Sequence, residues 1–144
     1  MSESPFKKAV GGGEFFKPAD HIHDLAIVIE AKMILRDQPH EYQGVKTTRD
    51  VAIADIACFR NSQDVATATP SAVFKGAQIT AGILVADIER NDWLGVPAVT
   101  VIRKPKQAYV YRNEVSADAE AAAAKWYSER EAKRESAAAD MPEL

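Results

Sequence analysis

Alternation of apolar and polar residues between Asp24 and Arg36 is the sequence feature that most constrains the fold. One parity is apolar throughout, and all the charged residues fall on the other. The apolar positions are Leu25, Ile27, Ile29, Ala31, Met33 and Leu35. Because side chains on a strand point alternately to its two faces, the pattern predicts one long strand with a single buried face, long enough to bend around a barrel core.

The segments that follow predict four more strands and a helix between the third and fourth. Residues 37–46 contain Pro39 and Gly44 and predict a loop, followed by a second, antiparallel strand over residues 47–59. After a polar connection at 61–71 we expect a third strand over 73–78. A helix then runs to about residue 90, although apolar spacing at 79–90 also fits a strand. A hairpin of strands 98–103 and 107–112 turns at Lys104-Pro105-Lys106.

The last part of the chain predicts a helix that docks on the sheet. Ser116 is a suitable N-cap, and a run of alanines follows it. Helical spacing places one set of residues on a common face, which we expect to contact the barrel: Ala119, Ala123, Trp126 and Tyr127.

Strand count and order predict a mainly β (α+β) protein, a five-stranded OB-fold-like barrel with a C-terminal helix and disordered ends. The predicted organisation is a flexible N-terminal arm at 1–14, an OB-fold-like nucleic-acid-binding domain at 15–113, the helix at 114–136 and an acidic tail at 137–144. Gly11-Gly12-Gly13 accounts for the flexibility of the N-terminal arm.

Charge is distributed unevenly along the chain. Residues 1–113 carry 14 basic and 13 acidic side chains, whereas residues 114–144 carry 4 and 8. Residues 93–113 hold four cations and no acid. This local basic strip favours a polyanionic ligand despite the net charge of −3. A single cysteine, Cys58, and the absence of a signal-peptide pattern or long apolar run predict a cytoplasmic protein with no membrane segment.

OB-folds bind oligonucleotides on strands two and three and on the loops that join strands one–two and four–five. Single strands need cations for the phosphates and exposed aromatic rings for base stacking. Residues of both kinds lie in or near those loops, so we predict these contacts: Arg36, Tyr42, Lys46, Arg49, Trp93, Arg103, Lys104, Lys106, Tyr109 and Tyr111. The same residues also fit a simple hairpin tip and a half-buried core.

Other kinds of site are less well supported. His21 and His23 would need further metal ligands from elsewhere, and Cys58 with His40 lacks a third group to orient a nucleophile pair. Asp55 is either an outward residue or a buried carboxylate with a barrel partner. Phe15 and Phe16 could stack on bases but fit the core better. We therefore expect no catalytic residues, no metal and no cofactor.

Several runs resemble a group of bacteriophage single-stranded DNA-binding proteins. They are Phe16-Lys17-Pro18-Ala19-Asp20-His21, the strand from Leu25 to Lys32, Arg49-Asp50, and the helix from Asp118 to Tyr127. The resemblance covers most of residues 15–130 and implies an OB-fold, sequence-independent binding and a role in phage DNA replication or recombination, in the host cytoplasm.

The terminal segment is similar to the acidic tips with which single-stranded DNA-binding proteins recruit replication and repair partners. Its residues are Asp140, Met141, Pro142, Glu143 and Leu144. Single-stranded DNA, proteins bound by this tail and a second copy of the chain are the expected partners. The alternative is a non-catalytic structural or scaffold β-barrel protein that acts through a protein interface.

Overall fold

The computed structural model describes residues 14–139, with side chains to residue 133. Its strands are β1 (Ala26–Tyr42), β2 (Val45–Phe59), β3 (Ala72–Ile79), β4 (Pro97–Arg103) and β5 (Val110–Arg112). Its helices are α1 (Ser62–Thr67), α2 (Gly82–Arg90) and α3 (Ala117–Ala139), and a 3-10 turn covers Pro18–His21. All pairings between strands are antiparallel, and the strands lie in the order β3-β2-β1-β4-β5. The predicted mainly β fold with a C-terminal helix is confirmed.

The barrel is not closed. Within residues 14–139 no ladder joins β3 to β5, the two strands at the ends of the sheet. The outer edge of β3 is instead met by the chain before the 3-10 turn. There the Phe16 N–H donates to the Gln78 carbonyl at 2.9 Å, and the Gln78 N–H donates to the Glu14 carbonyl at 2.9 Å. Phe16 is buried and Phe15 is 52% exposed, so the aromatic pair divides between core and surface.

The inner face of the sheet carries the larger core. Ile27, Ile29 and Ala31 are fully buried there and pack with apolar residues of α2. Beyond Ala31 the predicted parity is wrong, because a bulge at Lys32 inserts one residue into β1. Ile34 therefore packs against the core, whereas Met33 is 39% exposed.

The outer face carries a second core beneath α3. Ala26 and Val28, on the parity expected to face solvent, are buried with β2 residues against this helix. The predicted docking face of the helix is confirmed: Ala119, Ala123, Trp126 and Tyr127 all belong to this cluster. Because α3 covers this end of the sheet, β1 is buried on both faces there.

The prediction of a loop over residues 37–46 is wrong. β1 and β2 stay paired to a two-residue turn at Gln43 and Gly44, whose φ angles of +51° and +81° match the positive values of a type I′ hairpin. Residues 38–49 thus form a two-stranded extension, here called the β-ribbon. Pro39 fits within it because each strand of a two-stranded hairpin has an unpaired edge.

Smaller corrections concern the connections. The predicted connection at 61–71 contains α1, which Asn61 caps by accepting a hydrogen bond from the Asp64 N–H at 2.9 Å. The fourth and fifth strands are confirmed, but β5 begins only at Val110. Residues 137–139 continue α3, so the predicted disordered tail begins too early. The rest of that tail and most of the N-terminal arm lie outside the described residues.

No helix in the described part of the chain could span a membrane.

Candidate nucleic-acid interface

The ten predicted contact residues fall into three groups along the sheet. Four lie on or beside the β-ribbon, one follows α2 and a second lies in β5 against it, and four lie on the hairpin that joins β4 to β5. The groups, in this order, are Arg36, Tyr42, Lys46 and Arg49; Trp93 and Tyr111; and Arg103, Lys104, Lys106 and Tyr109.

One face of the β-ribbon combines an aromatic residue with a cation and has no carboxylate. Directly opposed residues of two strands share a face, and the pairs on this face are Tyr42 with Val45, His40 with Thr47, and Gln38 with Arg49. Tyr42 is 65% exposed. Lys46 lies on the other face, opposite Glu41. Tyr42 and Arg49 therefore form a surface suited to a base and a phosphate, and Lys46 does not join it.

Arg36 anchors the root of the β-ribbon. A second bulge in β1 leaves Arg36 and Asp37 opposite Asp50 alone. Arg36 donates to the Asp50 carboxylate at 2.9 Å and to Glu89 of α2 at 2.8 Å, and it makes a second hydrogen bond to Glu89. The backbone N–H of Asp37, and next the Arg36 guanidinium, lower the pKa of Asp50. Since two carboxylates balance its charge, Arg36 fixes the ribbon to α2 and offers little to a phosphate.

Trp93 and Tyr111 lie against each other, with ring centroids 5.0 Å apart and planes tilted by 55°. Both pack against the inner core. The Tyr111 hydroxyl is buried and has no hydrogen-bond partner in the described structure. Burial, and next the charge of Asp87, raises the pKa of Tyr111. Tyr111 therefore supports the half-buried Trp93, and its own ring has little surface for a base.

The β4–β5 hairpin tip presents the clearest pairing of cation and ring. Lys104 Nζ lies 5.0 Å from the centroid of the Tyr109 ring, and Lys106 is exposed beside it. Arg103 differs from its neighbours, because its guanidinium donates to the carbonyls of Ile22, Ile102 and Asp24 at 2.8, 2.9 and 3.3 Å. Arg103 therefore fixes the tip to the chain that precedes β1.

These groups follow the length of β1. The antiparallel register pairs Ile27 with Thr100, so the end of β4 and its hairpin tip lie near the start of β1. The segment that contains Trp93 lies beside the middle of β1, where the Gly95 N–H donates to the Ala31 carbonyl at 2.8 Å. The ribbon turn lies at the far end. A ligand that contacts all three groups must run along β1.

A buried polar cluster that the sequence did not predict lies under the hairpin tip. Asp24 lies 2.6 Å from His21 Nδ1 and accepts a hydrogen bond from Arg60 Nε at 2.9 Å. The Cys58 thiol lies within 4.8 Å of the His21 and Asp24 ligand atoms. His21 stacks on Phe16, with ring centroids 4.8 Å apart.

The chemistry of this cluster favours a structural role. Arg60 already supplies a positive charge beside Asp24, which disfavours a bound cation at the same carboxylate. Burial, and next the charge of Asp24, raises the pKa of the Cys58 thiol, so the thiolate required for nucleophilic attack is disfavoured. His23 is exposed and lies outside the cluster. The cluster joins the start of β1 to the end of β2.

Asp55 lies on the outer face, opposite Glu30 of β1, and is only 9% exposed. It accepts hydrogen bonds from the Gly76 N–H at 2.9 Å and from Arg130 of α3 at 3.1 Å. Burial acts to raise its pKa, but these hydrogen bonds and the nearby cations outweigh it, and the pKa of Asp55 is lowered. Of the two interpretations open from sequence, Asp55 is a buried carboxylate with partners, and it ties α3 to the sheet.

Comparison with protein-family models, curated proteins and solved structures gave no match.

Proposed function

We propose that this protein binds single-stranded DNA without sequence specificity and protects it during phage DNA replication or recombination. The observation that carries the proposal is the placement of aromatic rings and cations on the two hairpins that OB-folds use for binding, with Tyr42 exposed and Tyr109 half-buried against the inner core. Tyr42 and Arg49 lie on the first hairpin, and Lys104 and Tyr109 on the second. The order of the five strands is that of an OB barrel left open between β3 and β5.

Each element of this surface has a defined role. Tyr42 and Tyr109 stack on bases, an interaction worth about 1–3 kcal/mol per base whatever the sequence. Arg49, Lys104 and Lys106 contact phosphates along the path set by β1, whereas Lys46, on the opposite ribbon face, does not. Arg36, Arg103 and Tyr111 hold the two hairpins and Trp93 in place. No step of this function requires catalysis, a metal or a cofactor.

Two further partners belong to the proposal. The tail from Asp140 to Leu144 recruits replication or recombination proteins, and a second copy of the chain extends the binding site. Both activities belong in the host cytoplasm, where replicating phage DNA is found.

The first test reverses charge at the β4–β5 tip. Lys104→Glu with Lys106→Glu should weaken binding of a thymidine oligomer of about 30 nucleotides by more than tenfold, since two attractive interactions with phosphates become repulsive. The slope of log K against log salt should become shallower by about 1.4, or about 0.7 for each phosphate that is no longer neutralised. Fluorescence titration at several salt concentrations measures both effects.

Lys125→Glu is the matched control. Lys125 is exposed on α3, and its substitution changes the charge by the same amount as each of the two substitutions at the hairpin tip. It should alter affinity and slope little. If the wild-type protein gives a flat titration at low salt, single-strand binding is excluded. The exposed Tyr42 and Val45, each 65% exposed, would then favour the alternative of a scaffold protein with a protein interface on the ribbon.

A further inference from the structure

A polar pocket with one aromatic wall lies between the end of α2 and β5. Its volume is about 400 Å³, within the range of about 300–1,000 Å³ of sites for small organic ligands. The residues that line it are Asp87, Arg90, Asn91, Trp93, Tyr111 and Asn113. Four of the six carry charged or amide groups, so the pocket suits a flat polar ligand.

Two buried polar atoms at this pocket lack hydrogen bonds. The Tyr111 hydroxyl has no partner in the described structure, and Asp87 Oδ1 has none either. Asp87 Oδ1 does lie 3.1 Å from Arg90 Nη1, which is an ion-pair distance without hydrogen-bond geometry. A buried polar group without a hydrogen bond has lost its interaction with water and carries a desolvation cost. A ligand that donates hydrogen bonds to the carboxylate would relieve part of this cost.

We propose that the pocket binds a guanine base, which gives an otherwise sequence-tolerant protein a preference for one nucleotide. For a base within a DNA strand, the proposal rests on the proposed function. Trp93 supplies a ring face for stacking, and the Asp87 carboxylate supplies the hydrogen-bond acceptors. Trp93 is half-buried and its ring contacts that of Tyr111, so it is held in position before the base arrives.

The choice of guanine follows from the pattern of donors on each base. An ionised carboxylate only accepts hydrogen bonds, and it has two oxygens side by side. Guanine presents two adjacent donors, the N1–H and the 2-amino group. The Watson–Crick edge of adenine or cytosine alternates a donor with an acceptor, and thymine places one donor between two acceptors. Only guanine matches both oxygens without placing an acceptor against the carboxylate.

The other lining residues complete the match. The side chain of Arg90 is 76% exposed while it contacts Asp87. Because Asp87 Oδ1 is buried with Arg90 Nη1 3.1 Å away, the guanidinium must move off this oxygen before a base can reach both carboxylate oxygens. The guanidinium can then donate to the guanine O6 or the nucleotide phosphate, both of which accept hydrogen bonds. Asn91 and Asn113 are exposed at the rim and carry amide donors.

The first measurement uses the free nucleotides dGMP, dAMP and dTMP. Trp126→Phe leaves Trp93 as the only tryptophan in the chain, so quenching reports on the pocket, and calorimetry on the unaltered protein provides an independent reading. We expect saturable binding of dGMP, at least tenfold tighter than of dTMP. Asp87→Asn should abolish this difference. Equal responses to all three nucleotides would overturn the proposal.

The second measurement compares oligomers of about 30 nucleotides. The strands are all thymidine, thymidine with one central guanosine, and thymidine with one central inosine, which lacks the 2-amino group. We expect the guanosine strand to bind about tenfold more tightly than the all-thymidine strand, and inosine to lose most of that gain. Asp87→Asn should equalise all three strands.

Asp92→Asn is the matched control. It removes one negative charge close to the pocket without touching the lining, and asparagine tolerates the φ of +58° at this position. Both variants should bind the all-thymidine strand somewhat better, because one negative charge near the strand is removed. Only Asp87→Asn should change the ratio between guanosine and thymidine strands. Loss of the ratio in Asp92→Asn as well would contradict a specific role for Asp87.

The two measurements separate this inference from the proposed function. If no strand binds but dGMP still saturates and depends on Asp87, the pocket is a guanine-nucleotide site and strand binding is wrong. If the all-thymidine strand binds and guanosine adds nothing in either measurement, strand binding stands and the guanine pocket is wrong.

Discussion

β1 and β2 are paired along their whole length, but their two halves lie in opposite environments. In the body of the sheet, Ile29 and Ile56 are at most 1% exposed. In the β-ribbon, Tyr42 and Val45 are each 65% exposed. One ladder of hydrogen bonds therefore passes from a buried strand pair into a solvated one.

The difference shows that packing and pairing specify different parts of this hairpin. The body is held by apolar packing with α2 on one face and α3 on the other. The ribbon depends on its type I′ turn and on the clamp that Arg36 forms with Asp50 and Glu89. An isolated two-stranded hairpin is only marginally stable in water. The ribbon is thus a region of low local stability whose side chains are available for a ligand.

The largest expected effect comes from truncating one β2 residue in each half. Ile56→Ala should lower the free energy of unfolding by about 2–5 kcal/mol, because it leaves a cavity in the inner core. Val45→Ala should change it by less than about 0.5 kcal/mol. Denaturant unfolding followed by circular dichroism measures both. A large loss of stability in Val45→Ala would show that the ribbon is packed as the body is, and it would contradict the contrast between the two halves of the hairpin.

Asp55→Ala tests how the body depends on the contact between α3 and the sheet. It should lower the free energy of unfolding by about 1–3 kcal/mol at pH 7, because Gly76 and Arg130 lose their acceptor. The lowered pKa of Asp55 means that its contribution is present above the unfolded-state value of about 3.9 and is lost as pH falls through the folded-state value. The difference from wild type should therefore shrink toward acid pH in thermal or urea unfolding.

Asp50→Ala, at the ribbon root, is the counterpart. Its pKa is lowered as well, so the dependence on pH should have the same sign, but its exposed position makes the effect smaller. If Asp55→Ala is no less stable than wild type at pH 7, repulsion between Asp55 and Glu30 outweighs the hydrogen bonds, and the contact with α3 is not what stabilises the body.

The smallest effect on stability, with the clearest effect on binding, is expected at Tyr42. Tyr42→Ala should weaken single-stranded DNA binding by about 1–3 kcal/mol and leave unfolding unchanged, because the ring stacks on a base and not on the core. Tyr42→Phe keeps the ring and should keep the affinity. Titration of both variants with single-stranded DNA, together with denaturant unfolding of each, measures these effects. Equal losses of affinity in both would point to the hydroxyl and exclude stacking.

Local patterns in the sequence predict much of this fold. Ile27 and Ile29 fall on the parity that faces the inner core, and Ala119 and Trp126 fall on the helix face that meets the sheet. The Ser116 cap is also confirmed, since its hydroxyl accepts from the Ala119 N–H at 3.1 Å. Each of these features depends on residues close together in the chain.

What the sequence could not show depends on distant partners. The bulge at Lys32 reverses the parity of β1 without a local signal, because the extra residue exists only relative to β2. Arg36 meets Glu89 across 53 residues, and Arg103 meets the Ile22 carbonyl across 81. Spacing along the chain therefore predicted both arginines as phosphate contacts, whereas the fold gives them protein partners. The sequence does not predict the ribbon, because Pro39 and Gly44 are as common in loops as in hairpins.

The short pairing of Glu14 and Phe16 with Gln78 also bears on solubility. An unpaired strand edge is a template on which other chains can add and aggregate. β3 would present such an edge, with Val73 already 56% exposed, if the chain before the 3-10 turn did not cover part of it. Removing that segment should therefore favour self-association through this edge, observed as turbidity or filaments.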